Sequence, residues 1–344
     1  MAPNRQLSPS PVEGTGLPVD ALPDGWEARA ASETVLPDLA RFVDALRAEG
    51  GRKHPATVDG VRGVLDGAVA GQARILRDAA GAIRGYSVLF PPAEGRNLAN
   101  GSLVTDEGVP ADVVDAVVGL LQDGARKLPG LSGPAELRIF SADGRTFLKE
   151  ALLRRGFAKE RSFFGMRRPV AAADAVAPSL PGFTVLDWDA VRERDLLEQV
   201  RQAQHETFLE HFGELSKDPE TWRRYLQGHE FEPKYSFAVL DDGAAEPTVA
   251  GYVLGSNYTD DTLGFRDVNA HTSYIGVRRQ WRRKGLAALL LGTLWARVHE
   301  LGVDAVSLGV DQQNGSNAGR LYASLGYEAI SSAAAYRYTE PEGN

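Results

Sequence analysis

The chain has 344 residues, 43% of them hydrophobic and 24% charged, with a formal net charge of −8 and no cysteine. That length exceeds what one hydrophobic core usually organises and points to two globular units of ordinary composition. The lack of cysteine excludes disulfides, thiolate metal ligands and a cysteine nucleophile, and the acidic balance argues against nucleic acid while leaving room for a cationic amine.

No apolar run approaches the roughly 20 residues of a membrane span. Residues 1–24 are rich in Pro, Gly and Ser and lack an apolar signal core, so they read as a flexible tail of a cytoplasmic protein. From Trp26 a helical pattern follows, with Leu36, Leu39, Phe42, Val43 and Leu46 on one face and Gly50-Gly51 as its stop. Residues 73–90 read as a hairpin turning at Ala80-Gly81. Beyond it come a strand at 101–104, a helix from Pro110, a strand at 135–142, a helix at 147–157 and a strand at 162–168. Residues 171–181 are of low complexity and read as a linker.

The second unit opens with a strand at 182–188 and one helix over 192–213. Trp222 to Leu226 lies in another helix, and a hairpin turns around Asp241–Pro247. The two halves repeat in outline: Gly85-Tyr86 matches Gly251-Tyr252, and Arg155-Gly156-Phe157 matches Leu325-Gly326-Tyr327. A repeat at this length implies duplication. The units are residues 25–170 and 182–344.

The most informative stretch runs from Ser273 to Tyr327. A β-rich run ends at Val277, and Arg282-Arg283-Lys284-Gly285-Leu286-Ala287 leads into an amphipathic helix bearing Leu286, Leu289, Leu290, Leu294 and Val298. Gly285 and Ala287 let backbone amides approach a ligand, the helix directs its positive end at them, and Arg278 and Arg279 add charge nearby. The ligand expected is a pyrophosphate or a group of similar charge. No G-x-x-x-x-G-K-[ST] or G-x-G-x-x-G is present, which removes the nucleotide-loop alternatives.

Arg282-x-x-Gly285-x-Ala287, followed by Asn314-x-x-x-Ala318-x-x-Leu321-Tyr322-x-x-Leu325-Gly326-Tyr327, resembles the two signature segments of the GNAT superfamily of N-acetyltransferases. The resemblance implies an α/β fold of two tandem GNAT-like domains, each a twisted mixed sheet flanked by helices, with acetyl-CoA held by the second. It assigns cofactor contacts to Ile275, Gly276, Val277, Arg282, Arg283, Lys284, Gly285, Leu286, Ala287 and Asn314, and proton donation to the departing thiolate to Tyr322, which could instead merely pack. His271 is either the base, poised near the ordinary pKa of 6.5, or a surface histidine at a strand start. Glu206, Glu210 and Glu214 form an acidic stripe at i, i+4, i+8; Glu206 and Glu210 are either amine-recognising or part of a solvated face. No metal is implied, since H-E-x-x-H spacing is absent.

The first half carries Thr105-Asp106-Glu107-Gly108-Val109-Pro110 in place of the basic loop and Leu152 in place of Tyr322, and is read as degenerate. HETFLEHFG with Thr221-Trp222 is loosely similar to mycothiol synthase-like tandem proteins. The expected activity is acetyl transfer to a small-molecule amine such as an amino-sugar, a cysteinyl conjugate or an aminated antibiotic. An acyl-CoA-binding sensor and a protein or peptide acetyltransferase are the alternatives.

Overall fold

The structure, a computed structural model, describes residues 22–49, 56–92, 96–209, 212, 218–228, 231–257, 270–313 and 318–341. The first half runs β1 (Glu27–Ala30), α1 (Leu36–Glu49), α2 (Val58–Asp66), β2 (Ala73–Arg77), β3 (Ile83–Phe90), β4 (Leu98–Thr105), α3 (Ala111–Arg126), β5 (Glu136–Ala142), α4 (Thr146–Arg154) and β6 (Ala158–Pro169). The second runs β7 (Phe183–Asp187), α5 (Trp188–Glu193), α6 (Leu197–Phe208), α7 (Pro219–Gln227), β8 (Glu232–Asp241), β9 (Thr248–Ser256), β10 (Ala270–Val277), α8 (Leu286–Glu300), β11 (Ala305–Asp311), α9 (Ala318–Ser324) and β12 (Glu328–Thr339).

The two expected sheets are fused into one of twelve strands, in the order β1-β2-β3-β4-β5-β12-β6-β11-β10-β9-β8-β7. The last strand of each half lies in the other half's territory: β6 pairs with β11 and β12 pairs with β5, while β6 and β12 pair antiparallel with each other. This arrangement relates the halves by half a turn about an axis through the sheet. It also puts α3 and α8 on one face and α1 and α6 on the other.

The hydrophobic cores follow the exchange. Val113, Val117 and Leu121 of α3 pack on Leu137 and Ile139, and the cluster is completed by Ala334, Tyr336 and Tyr338 from β12. Leu289, Leu290 and Leu294 of α8 pack on Val253, Val306 and Leu308 together with Met166 from β6. On the opposite face, α5, α6 and α7 bury Val191, Val200 and Trp222 against Tyr252 and Leu254, and α1 buries Leu39 and Val43 against Ile75. Each half's core is therefore finished by a strand of the other. The hydrophobic term favouring burial is non-directional and scales with apolar area, so burial in these shared cores also holds the halves together.

The segment read as a linker is fastened along α8. Arg168 donates to Asp174 at 2.9 and 2.8 Å, and its guanidinium lies 3.9 Å from the ring centroid of Trp295. A Cβ on Gly292 would come within 2.6 Å of Pro178, so that glycine lets the segment lie against the helix.

Two further differences from the sequence reading have local causes. The single helix expected over 192–213 is two helices: Asp187 caps α5 by accepting the Ala190 N–H at 3.0 Å, and Asp195, at φ +55°, turns the chain before α6. Aspartate is among the side chains that tolerate the left-handed region. β1 and α2 are additional elements, and α2 is capped by Thr57, which accepts the Gly60 N–H at 3.0 Å.

Candidate active site

β10 pairs with β11 only through Ala270↔Val306, His271↔Ser307 and Thr272↔Leu308. It stays paired with β9 out to Val277, with Ser273 as the extra residue of a bulge. A bulge sharpens local twist and ends a ladder. Past Thr272 the two parallel strands diverge, and among the described residues Tyr274, Ile275, Gly276 and Val277 have a strand neighbour on one side only. An unpaired strand edge presents amides and carbonyls that a ligand can use, and Ile275, Gly276 and Val277 lie on that edge. The first half repeats this shape: β4 pairs with β5 through Leu98 to Gly101 and then separates.

At the end of β10 the chain enters the basic loop. Trp281 is buried and donates from Nε1 to Asp241 at 2.7 Å, and Arg282 Nε donates to the Val277 carbonyl at 3.1 Å, so the loop is tied to the strands on both sides. Arg283 and Gly285 both have left-handed backbones, at φ +63° and +85°. Gly285 is the N-cap of α8 and brings no capping side chain, and the first turn of α8 contains no acidic residue. The N–H groups of Leu286 and Ala287 lie in that first turn, where an α-helix has no internal acceptor for them. Arg279, Arg282, Arg283 and Lys284 are exposed around them. Orphan amides, a positive helix end and exposed cations fit a pyrophosphate.

The corresponding region of the first half is closed by its own side chains. Asp106 accepts from Arg84 Nε at 2.5 Å, from Arg84 Nη2 at 3.0 Å and from the Gly108 N–H at 2.8 Å. A carboxylate and its arginine thus fill a turn whose counterpart in the second half has no acidic residue. α3 and α4 are also drawn together: Arg154 and Arg155 reach Asp115 at 3.2 and 2.8 Å, and Arg155 lies across Gly119, where a Cβ would approach it to 2.4 Å. Leu152, at the position matching Tyr322, is fully buried.

Around the point of divergence in the second half stand several tyrosines and His271. Tyr322 on α9 is buried, meets Tyr327 edge-on at 5.8 Å, and has its phenol pushed up to about 12 by burial. Tyr252 is fully buried, its phenol also raised by burial, and it bonds to Thr207 of α6 at 2.8 Å. Thr207 donates its own proton to the Ala203 carbonyl at 2.7 Å, so Tyr252 is the donor in that pair. This pair crosses directly over Gly276, where a Cβ would come within 2.4 Å of Thr207 Oγ1 and 2.7 Å of Tyr252 Oη. Thr207 and Tyr252 were missed by the sequence reading; Gly276 in the middle of a strand was the available signal, since such a glycine marks a close approach.

Two site expectations change. His271 is not a surface residue poised near 6.5: it is buried, its Nδ1 lies 2.9 Å from Ser307 Oγ, and desolvation lowers it to about 4. Burial disfavours the charged imidazolium, which explains the direction. Glu206 is held bidentately by Arg278 at 2.7 and 2.7 Å, so this carboxylate and one of the loop's cations neutralise each other. Glu210, Glu214 and Asn314 lie outside the described residues.

A forked parallel pair, a basic loop at a helix start and a buried phenol on α9 fit an acyl-CoA-dependent N-acetyltransferase with acetyl-CoA as its cofactor. Residues 197–327 match the model of the acetyltransferase (GNAT) family. The match lies wholly within the second half. No curated protein matches the chain. Among solved structures it is similar to a GCN5-related N-acetyltransferase from Sphaerobacter thermophilus, with 21% identity, 94% of this chain and 98% of that one covered, and a TM-score of 0.68. It is also similar to a tandem GNAT protein from the clavulanic acid biosynthesis pathway, with 16% identity, 93% and 100% covered, and a TM-score of 0.67. A third is a GCN5-related glucosamine N-acetyltransferase region of a fungal multi-domain GH3 β-N-acetylglucosaminidase, with 13% identity, 92% and 38% covered, and a TM-score of 0.61. At these identities the likeness is one of fold, and it spans both halves.

Proposed function

We propose that the protein acetylates a primary amine of a small molecule, by direct attack of the neutral amine on the thioester, and that it does so in the second half alone. The observation that carries this reading is the contrast between the two forks. One opens beside a basic turn without an acidic residue and a buried phenol; the other has Asp106 in the turn and leucine at the phenol's place. Acetyl-CoA, when bound, supplies the activated acyl group.

The chain's own residues then have separable tasks. Leu286 and Ala287 amides, with Arg282, Arg283 and Lys284, hold the pyrophosphate. The edge of β10 from Ile275 to Val277 aligns the pantetheine arm and offers amides to the developing oxyanion. Tyr322 keeps its proton: a phenol at about 12 is a weaker acid than a thiol near 8.5, so it stabilises the leaving sulfur as a hydrogen-bond donor. His271, uncharged at neutral pH, accepts the amine proton through a water.

A small acceptor is supported by the buried Tyr252–Thr207 pair, which narrows the fork on the α6 side. Two of the similar folds come from proteins named for a small-molecule pathway and for glucosamine. The test is titration of acetyl-CoA into the protein by calorimetry, followed by a panel of amino-sugars, cysteinyl conjugates and aminated antibiotics with detection of free thiol. One site per chain and thiol release with one class of amine is the expected result. Binding without thiol release from any amine would favour a sensor, and release only with peptides would move the acceptor to protein amines.

A further inference from the structure

Three polar residues stand at the vertex of the second-half fork, and two of them are satisfied. His271 meets Ser307 at 2.9 Å, and Ser273 donates to Ser256 at 3.2 Å. The residue between them, Thr272, is only 4% exposed, yet among the described residues its Oγ1 has no hydrogen-bond partner. A buried hydroxyl without a partner is disfavoured relative to an isosteric methyl.

The position of Thr272 shows where a partner would come from. It is the last residue of β10 to pair on both sides, opposite Gly255 on β9 and Leu308 on β11. Residues directly opposite in a sheet share a face, and Leu308 belongs to the cluster that contains Leu289, Leu290 and Tyr322. The hydroxyl is therefore on the α8 face, the same side as the buried phenol, at the depth where the strands begin to part. His271 and Ser273 bond on the opposite face. On the acetyl-transfer reading, the group that reaches the end of the fork is the acyl terminus of the cofactor.

We propose that Thr272 is an acyl-reading residue, its hydroxyl donating a hydrogen bond to the carbonyl oxygen of the bound thioester. The inference rests on the acetyl-transfer reading above and adds a side-chain contact to the backbone amides of β10. It accounts for a polar side chain at a site where valine would pack equally well and leave nothing unsatisfied. It also predicts a specific division of affinity, because coenzyme A without an acyl group has no oxygen at that place.

The experiment compares wild type, Thr272→Val and Thr272→Ser in calorimetric titrations with acetyl-CoA and with coenzyme A, alongside thermal unfolding of the free proteins. Thr272→Val is expected to weaken acetyl-CoA by about 3- to 10-fold, the range of one ordinary hydrogen bond, with coenzyme A unchanged. Thr272→Ser should retain the preference for the acylated form. Unfolding of the free Val variant should come at the same temperature or higher, because an unpartnered hydroxyl has been removed. Equal effects on both ligands, or none on either, would overturn the proposal while leaving acetyl transfer intact. If the wild-type protein binds neither ligand, the acetyl-transfer reading and this inference fall together.

Discussion

Tyr322 and His271 are both buried, and burial moves them in opposite directions away from neutrality, each towards its uncharged form. For Tyr322 this secures a donor: Tyr322→Phe should lower kcat by roughly 10²-fold, as for loss of one preorganised donor, with little change in the acetyl-CoA KM. Steady-state kinetics with any accepted amine checks this, and an unaltered kcat would mean that the phenol only packs. For His271 the sign of the linkage follows from its lowered value. The unfolded chain binds a proton near 6.5 and the folded one only near 4, so stability is full above about pH 6.5 and is lost as pH falls through that window. Denaturant midpoints between pH 4 and pH 7 should therefore fall less steeply in His271→Gln than in wild type; parallel slopes would show that the imidazole does not titrate this way. Tyr322 could be singled out in the sequence because it occupies a position of the second signature segment, and His271 only because it is a histidine on the strand that leads into the basic loop. Their environments were not legible there, since the atoms that desolvate them come from Ser307 on another strand and from Tyr327 beyond the helix turn.

At the scale of single elements, two glycines of the second half are required for opposite reasons. Gly285 begins α8 at φ +85° with open space where a Cβ would project. Its role is conformational, whereas the sequence reading stressed room for the ligand. Gly276 has no left-handed requirement, but a Cβ there would collide with the Thr207–Tyr252 pair. Gly285→Ala should thus cost about 1–2 kcal/mol of strain, and Gly285→Asn less, because asparagine visits the left-handed region more readily. Acetyl-CoA affinity should follow the same order, glycine tightest and alanine weakest, since the strained turn re-aims the amides of Leu286 and Ala287. Melting curves and calorimetry on the two variants decide it; an alanine variant as stable and as tight as wild type would refute the conformational role. The loop and its helix could be read from sequence because both are local, set by a glycine, a run of cations and leucines at helical spacing. The fork was less accessible: it is defined by where β10 and β11 stop pairing, and nothing in either strand's own alternation encodes that.

For the whole molecule, the exchange of β6 and β12 has a consequence that duplication alone would not have. A duplicated protein with two self-contained sheets could be cut at residues 171–181 into two folding units. Here the second half taken alone would lose Met166 from its core and would leave β11 without its neighbour β6. The first half alone would lose Ala334, Tyr336 and Tyr338. Long unpaired edges with an uncovered apolar face are templates for aggregation. Residues 182–344 expressed alone should therefore be insoluble or aggregated, whereas co-expression with residues 25–170 should recover a soluble complex that binds acetyl-CoA at one site. Co-purification and gel filtration of the separated halves measure this, and a soluble, monomeric second half with wild-type affinity would show that the exchange is dispensable. The sequence offered a strand at 162–168 and matched the Gly156-Phe157 and Gly326-Tyr327 pairs that precede β6 and β12, and that match marks the two segments as equivalents. Two strands alike in pattern can pair with either half equally well by local criteria, and the choice is made by which core each side chain completes.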